Sequence, residues 1–253
     1  MLKITQIICM KTPTLDPLSP LGPLFVPETR VGFWFLGTKT WIEKVIRVAI
    51  KDLLPLMDDR RESYDTIVDV GCGQGLSFSV LNETFKPQRL IGVEYETKTI
   101  ETARARANRE GIAVELLQND CAEIALPDGI ADIVFCHQTC HHLVRQEQAL
   151  AEFYRLLKPG GVLLFAESTK AYIHSWIIRW LFAHPMDKQR TAQEYMHMVR
   201  AAGFEFEDRH TSFPYLWWSR ADLAIAENIF RIKPKPFGQR EETLVNLVAY
   251  KPR

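Results

Sequence analysis

Between residues 64 and 169 the chain alternates short apolar runs with amphipathic stretches, and that alternation most narrows what it can fold into. Thr66-Ile-Val-Asp-Val, Arg89-Leu-Ile-Gly-Val, Val114-Glu-Leu-Leu, Ala131-Asp-Ile-Val-Phe and Gly161-Val-Leu-Leu-Phe are rich in β-formers and largely apolar. Strands buried on both faces of a parallel sheet read this way. Helical stretches lie between them at 76–85, at 97–110 before Gly111, and at 146–157 before Pro159-Gly160-Gly161. Gly just past a helix and Pro near its end are stop signals. Strand and helix alternating at this spacing predict βαβ units and a doubly wound α/β domain.

The flanks are different. All six tryptophans lie outside residues 64–169: Trp34 and Trp41 before, Trp176, Trp180, Trp217 and Trp218 after. Pro13, Pro17, Pro20, Pro23 and Pro27 predict an extended or partly disordered arm. A helix over 38–54 follows, its stripe of Ile42, Val45, Ile46, Ala49 and Leu53 suited to packing on the sheet domain. Thr191-Ala-Gln-Glu194 is a capping box, and Tyr195, Met198, Val199 and Ala202 continue at helical spacing to Gly203. Runs at 204–213 and 243–251 predict two more strands, antiparallel to each other at the end of the sheet. Between them, 214–242 is too long for a plain hairpin turn and holds a predicted helix over 222–230. The expected division is an arm and helix over 1–62 and a sheet domain over 63–253, with insertions at about 170–187 and 214–242.

Composition excludes several classes. The 253 residues are 47% hydrophobic and 25% charged, with 31 basic and 31 acidic side chains, so the formal net charge is zero. That is an ordinary globular balance, without the basic excess that grips phosphate backbones. Nucleic acid is therefore not an expected partner. No uncharged apolar stretch is long enough for a transmembrane helix, and the first residues lack a signal peptide's core and cleavage site. Five cysteines, Cys9, Cys72, Cys121, Cys136 and Cys140, are too few and odd for a disulfide framework. A cytoplasmic protein with reduced thiols is expected.

Asp69-Val-Gly71-Cys72-Gly73-Gln74-Gly75 falls between the first strand and first helix. There glycines permit a tight turn and close approach of a ligand to free helix-start amides. The Gly-x-Gly-x-Gly spacing departs from the dinucleotide fingerprint, so the loop alone decides little. Glu94 ends the second strand, where a carboxylate can accept from both hydroxyls of a ribose. Asp120, after the third strand, is placed to accept from an adenine amino group.

Taken in order, Val68-Asp-Val-Gly-Cys-Gly-Gln-Gly75, Gly92-Val-Glu-Tyr95, Asn119-Asp120, Ala131-Asp-Ile-Val-Phe-Cys-His-Gln-Thr-Cys-His-His-Leu143 and Leu156-Leu-Lys-Pro-Gly-Gly-Val-Leu-Leu164 resemble a class I S-adenosylmethionine-dependent methyltransferase. The resemblance covers about residues 64–213 and is strongest to the broad group of quinone-ring and small-molecule methyltransferases. It implies a Rossmann-like seven-stranded sheet in the order 3-2-1-4-5-7-6 with its last strand antiparallel. It also implies that Asp69 and the backbone of Gly71, Cys72, Gly73 and Gly75 hold the methionine end of S-adenosyl-L-methionine. Glu94, with Tyr95 beside it, would take the ribose, Asp120 and the Cys121 amide the adenine, and the main chain near His137 the methionine amino group. The proline-rich arm and the insertion before the last strand depart from the family's pattern and leave the substrate class open.

A sulfonium methyl is already activated, so the protein's main task is to align an acceptor and exclude water. Where the acceptor must lose a proton, histidine suits neutral pH, and His141 or His142, after the fourth strand, is the expected base. A metal is not expected: Cys136-x-x-x-Cys140-His141 matches no haem or zinc spacing, and no second Cys or His pair is evident. Ile173, Trp176, Ile177, Trp180 and Leu181 form an amphipathic helical stripe. Together with Phe33 and Trp34 in the arm and Trp217 and Trp218 in the insertion, its aromatics are expected to form a lid over a small apolar or aromatic acceptor. Weak membrane-surface contact is a lesser use of the same helix. The rival readings are a cofactor-binding regulatory module without turnover and a nicotinamide oxidoreductase of similar fold. A nucleic-acid methyltransferase is disfavoured, since Cys136-His-Gln-Thr139 stands where DNA amino-methylating enzymes carry an Asn- or Asp-Pro-Pro-aromatic tetrad.

Overall fold

A computed structural model describes Thr29 to Arg253; the proline-rich arm and Cys9 lie outside the described residues. The elements run α1 (Arg30–Leu36), α2 (Lys39–Trp41), a π-helical turn (Ile42–Ile46), α3 (Arg47–Leu53), β1 (Tyr64–Val70), α4 (Ser77–Phe85), β2 (Pro87–Glu94), α5 (Thr97–Glu110), β3 (Glu115–Gln118), β4 (Ala131–His137) and α6 (Gln146–Leu156). They continue with β5 (Leu157–Ser168), α7 (Lys170–Ile173), α8 (Trp176–Leu181), α9 (Ala192–Ala201), β6 (Thr211–Ser212), α10 (Ile225–Asn228) and β7 (Leu244–Tyr250).

The seven strands form one sheet in the order β3-β2-β1-β4-β5-β7-β6. β1 to β5 are parallel, and β7 runs antiparallel to both β5 and β6. This is the expected architecture. The strands are apolar because both faces are covered: Ile67, Val68 and Val70 of β1 and Ile133 to Cys136 of β4 are wholly buried. One face carries Leu150, Phe153, Tyr195 and Val199 from α6 and α9. The other carries Ile50, Leu53, Phe78, Leu81 and Ala103 from α3, α4 and α5. Strand order reverses between β1 and β4, so the loops after these strands diverge and leave a cleft at their carboxyl ends.

The capping box at Thr191 and Glu194 is present, with the Thr191 hydroxyl accepting from the Glu194 amide at 3.2 Å. The stripe expected over 38–54 is also present, interrupted by the π-helical turn, with Val45, Ile46, Ala49, Ile50 and Leu53 buried. Three expectations are corrected. The single helix through Ile173 and Leu181 is broken at His174 and Ser175 into α7 and α8, so Ile173 and Ile178 face inward and Trp176 and Trp180 face out. The strand over 204–213 shrinks to Thr211–Ser212, because His210 accepts from the Glu207 amide at 2.9 Å and contacts Asp58 at 3.1 Å, curling 208–210 into a turn. The helix over 222–230 shrinks to Ile225–Asn228, because Leu223 and Ala224 are left-handed.

Asp132 ties the opposite edge of the sheet. One carboxylate oxygen accepts from the Asp65 and Thr66 amides at 2.9 Å each, and the other accepts from Lys158 at 3.0 Å and Arg61 at 3.3 Å. Burial alone would raise its pKa, but the Thr66 amide and the Lys158 ammonium hold it below the usual carboxylate range. Asp132→Ala strands these donors and is expected to cost about 2–4 kcal/mol of unfolding free energy in urea titration. Because the folded pKa is lowered, this contribution is complete above the ordinary carboxylate pKa and fades as pH falls through the lowered value. The wild-type and variant stabilities should therefore converge in acid.

Candidate active site

The loop after β1 owes its shape to its glycines. Gly71, Gly73 and Gly75 all have positive φ, at 67°, 54° and 74°. A Cβ on Gly71 would lie 2.2 Å from the Thr139 methyl, whereas one on Gly73 meets nothing within 4 Å. Gly71 is thus required for packing against the β4 loop, and Gly73 opens onto the cleft.

Glu94 braces this loop from beneath. Its carboxylate accepts from the amides of Gly73 at 3.0 Å, Tyr95 at 2.9 Å and Glu96 at 3.0 Å. Burial raises its pKa against these three amides. A cleft of about 710 Å³, counting its mouth open to solvent, lies above the loop, lined by Phe33, Trp41, Asp69, Gly71, Cys72, Gly73, Gln74, Glu96, Thr99 and His137 among others. Phe33 arrives there because α1 is latched to the loop. Gln74 donates to the Phe33 carbonyl at 2.7 Å, and Arg106 donates to the carbonyls of Gln74 at 3.1 Å and Gly37 at 3.3 Å.

In this cavity Asp69 has no cationic partner and His137 Nε2 no hydrogen-bond partner among the described residues. Burial pushes the Asp69 carboxyl up to about 7; the Ser77 hydroxyl, which donates to it, works against that shift, and Glu94 adds to it. His137 stacks on Phe135, its Nε2 buried with no hydrogen-bond partner among the described residues, and burial lowers its pKa to about 4. The cavity therefore offers a carboxyl that a cation would ionise and a neutral ring nitrogen awaiting a partner.

Glu94, Tyr95, Asp120 and Cys121 are not among the residues that line this cavity. Asp120 accepts from the Ala122 amide at 2.8 Å and from Arg145 at 2.7 Å. Cys121 is buried, and burial raises its thiol pKa.

A second, smaller cavity, about 370 Å³ with its opening to solvent counted, adjoins the first, sharing Leu36, Trp41 and Gln138. Ile173, Ile178, Tyr172 and Phe182 give it apolar walls, and His141, His142 and His184 a polar end. Gln138, between the two cavities, has a left-handed φ of 52° and accepts a hydrogen bond from Ser168. Such strain persists only where surrounding structure enforces it. Glu167, fully buried on β5, bonds His141 Nδ1 at 2.7 Å and accepts from the Thr139 and Cys140 amides at 2.7 Å each. The rings of His141, His142 and His184 have centroids 4.3 to 5.2 Å apart. Burial, then His141, lowers the pKa of His142 well below its ordinary value and that of His184 to about 3.

Of the aromatics expected over the acceptor, Phe33 lines the larger cavity and Trp218 packs edge-on against Tyr172. Trp34, Trp176, Trp180 and Trp217 are instead 59% to 79% exposed and line neither cavity. The break before α8 turns two of them outward. Trp41, Gln74, Glu96, Glu167 and His184 were not singled out from the sequence. Glu167 left one signal, an acid closing an apolar strand; His184 left none, since it lies 42 residues from His142.

Residues 68–165 match a family model described as a methyltransferase domain. Over those residues the chain carries a methyltransferase domain. It is 32% identical over 111 residues to a fatty-acid O-methyltransferase of Mycolicibacterium smegmatis, covering 44% of this chain and 40% of that protein. It is 25% identical over 183 residues to a ubiquinone biosynthesis O-methyltransferase of Cereibacter sphaeroides, covering 67% and 73%. Among solved structures, phosphoethanolamine N-methyltransferase 2 of Haemonchus contortus, in complex with S-adenosyl-L-methionine, superposes with a TM-score of 0.63 at 17% identity, covering 89% of this chain and 58% of that one. That likeness is one of fold. The chain spans about half or less of the length of several curated relatives it matches. No helix among the described residues is long and apolar enough to cross a membrane.

The methyltransferase domain's loop gives a direct comparison. Gly71→Ala meets both a left-handed φ and the Thr139 clash, whereas Gly73→Ala meets only the φ penalty of about 1–2 kcal/mol. Gly71→Ala should lower the thermal midpoint by the larger amount, measured by calorimetry.

Proposed function

We propose that this protein transfers a methyl group from S-adenosyl-L-methionine to a small, largely apolar acceptor bearing an ionisable heteroatom. One observation carries the reading: two cavities share the wall of Leu36, Trp41 and Gln138, one bordered by the glycine loop and the other apolar with a histidine end. The cofactor supplies an electrophilic methyl on a sulfonium. The chain's own residues bind, orient and keep water out.

The residues fit that cofactor on three counts. The Gly73 side of the loop is open, Asp69 is a buried carboxyl that a bound ammonium would ionise, and His137 Nε2 is an unpartnered buried nitrogen. Gly71, Cys72, Gly73 and Gly75 are assigned to the methionine end with Asp69, and His137 to the same end. Glu94 acts by bracing the loop and, with Tyr95, borders the ribose; Asp120 and Cys121 border the adenine. Helix α1, through Phe33, and the segment with α7 and α8 cap the site. The acceptor's apolar body lies against Ile173, Ile178 and Phe182, and its heteroatom meets the histidine end, where it is held and loses its proton. Of the two expected bases, His141 has the carboxylate partner. The names of the fatty-acid and ubiquinone O-methyltransferase relatives favour an oxygen acceptor on an apolar body.

Release of S-adenosylhomocysteine from wild-type protein incubated with fatty acids, phenols, quinols, thiols and amines tests the activity. Turnover confined to apolar oxygen acceptors is expected; cofactor binding without turnover on any class would overturn it in favour of a regulatory module. Glu94→Ala should weaken cofactor binding at least tenfold by calorimetry, since three loop amides lose their acceptor. Binding should also strengthen as pH rises from about 6 to about 8, because the cation must find Asp69 ionised and the free carboxyl holds its proton up to about 7. Asp69→Asn should flatten that pH profile.

A further inference from the structure

We propose that His141, His142 and His184 bind one divalent first-row transition-metal ion, with zinc the best match, at the polar end of the smaller cavity. Each residue offers one ring nitrogen, and the three nitrogens lie within 4.8 Å of one another. In a tetrahedral site with metal–nitrogen bonds of about 2.0–2.1 Å, ligand nitrogens stand roughly 3.4 Å apart. Modest side-chain rotations close that difference.

The site is built from two distant segments by specific bonds. A short 3-10 turn over Cys140–His142 sets the His141 and His142 rings side by side. Buried Gln189 then donates to the carbonyls of His141 and Pro185, at 2.9 Å each, which fastens the loop carrying His184 against that turn. Glu167 completes the arrangement. Its bond to His141 Nδ1 fixes the ring and directs Nε2 as the ligand, the carboxylate–histidine–metal relay that second-shell acids provide. The same carboxylate accepts from two backbone amides and supplies buried negative charge beside the ion.

Three imidazoles are a donor set suited to zinc and its neighbours, and they leave a coordination position open. Here all three histidines border the cavity that the proposed function gives to the acceptor. An acceptor hydroxyl or carboxyl ligating the ion there would give its proton to solvent and keep an oxygen lone pair for methylation, so that with the ion bound His141 acts as a ligand and the ion takes over the part of the base. Neither Cys136 nor Cys140 belongs to the cluster.

The metal assignment stands or falls separately from the methyl-transfer reading. Tag-free full-length protein, loaded with Zn2+ and dialysed against metal-free buffer, should retain about one ion per chain by elemental analysis. His142→Ala and His184→Ala should each lower Zn2+ affinity at least tenfold by calorimetry, and Glu167→Gln by about tenfold to a hundredfold. The Co2+ form should show the visible bands of a four- or five-coordinate ion, absent from His184→Ala. Zn2+ should raise the thermal midpoint of the wild type but not of His184→Ala, while S-adenosylhomocysteine affinity in that variant stays near wild type. A wild-type protein that retains no ion would overturn the proposal, as would full retention by both histidine variants; either result leaves the cofactor assignment intact. Should one variant not fold, the wild-type stoichiometry and the other variant still decide.

Discussion

Burial of a parallel sheet on both faces is the constraint from which the remaining structure follows. Five parallel strands send their carboxyl ends to one edge, and helices on each face leave that edge as the place where loops and polar groups can gather. The reversal of strand order between β1 and β4 opens the cleft there. Glycine in the β1 loop and left-handed Gln138 in the β4 loop are local costs of letting backbone and side chains converge on it.

The carboxylates show how differently the two edges are used. Asp69, Glu94 and Glu167 close β1, β2 and β5 at the cleft, each largely withdrawn from water, and none has a Lys or Arg partner within ion-pair distance among the described residues. Burial accordingly leaves Asp69 and Glu94 with raised pKa values. Asp132, at the start of β4, is supplied with two amides, a lysine and an arginine, and its pKa is lowered. The first set lacks lysine and arginine partners among the described residues, whereas the second ties the fold together.

Both cavities depend on segments outside the regular sheet domain. Latching of α1 to the glycine loop through Gln74 and Arg106 brings Phe33 to the larger cavity, and the π-helical turn lies directly after Trp41, which both cavities share. The break between α7 and α8 lets Ile173 and Ile178 line the smaller one while Trp176 and Trp180 reach solvent. The exposed tryptophans therefore do not mark the smaller cavity; Trp41, Tyr172 and Phe182 line it together with Ile173, Ile178 and three histidines.

The α/β class, the α9 capping box and the position of the glycine loop at the cleft were legible from sequence, because periodicity, caps and turn glycines act over a few neighbouring residues; the strand order and the places of Asp69 and His137 were legible only through the family resemblance. The strand at 204–213 and the helices at 173–181 and 222–230 were legible only in part. There His210 bonding to Asp58, the turn at Ser175 and the left-handed Leu223 and Ala224 overrode local pattern. The brace from Glu94 to Gly73, the bond from Glu167 to His141 and the arrival of His184 beside His142 join residues that are 21, 26 and 42 positions apart. No local periodicity encodes such pairs. Sequence determined most of the regular elements and the edge of the sheet where the glycine loop lies; tertiary structure alone decided what meets there, because contacts across the cleft are set by packing between segments that share no repeat.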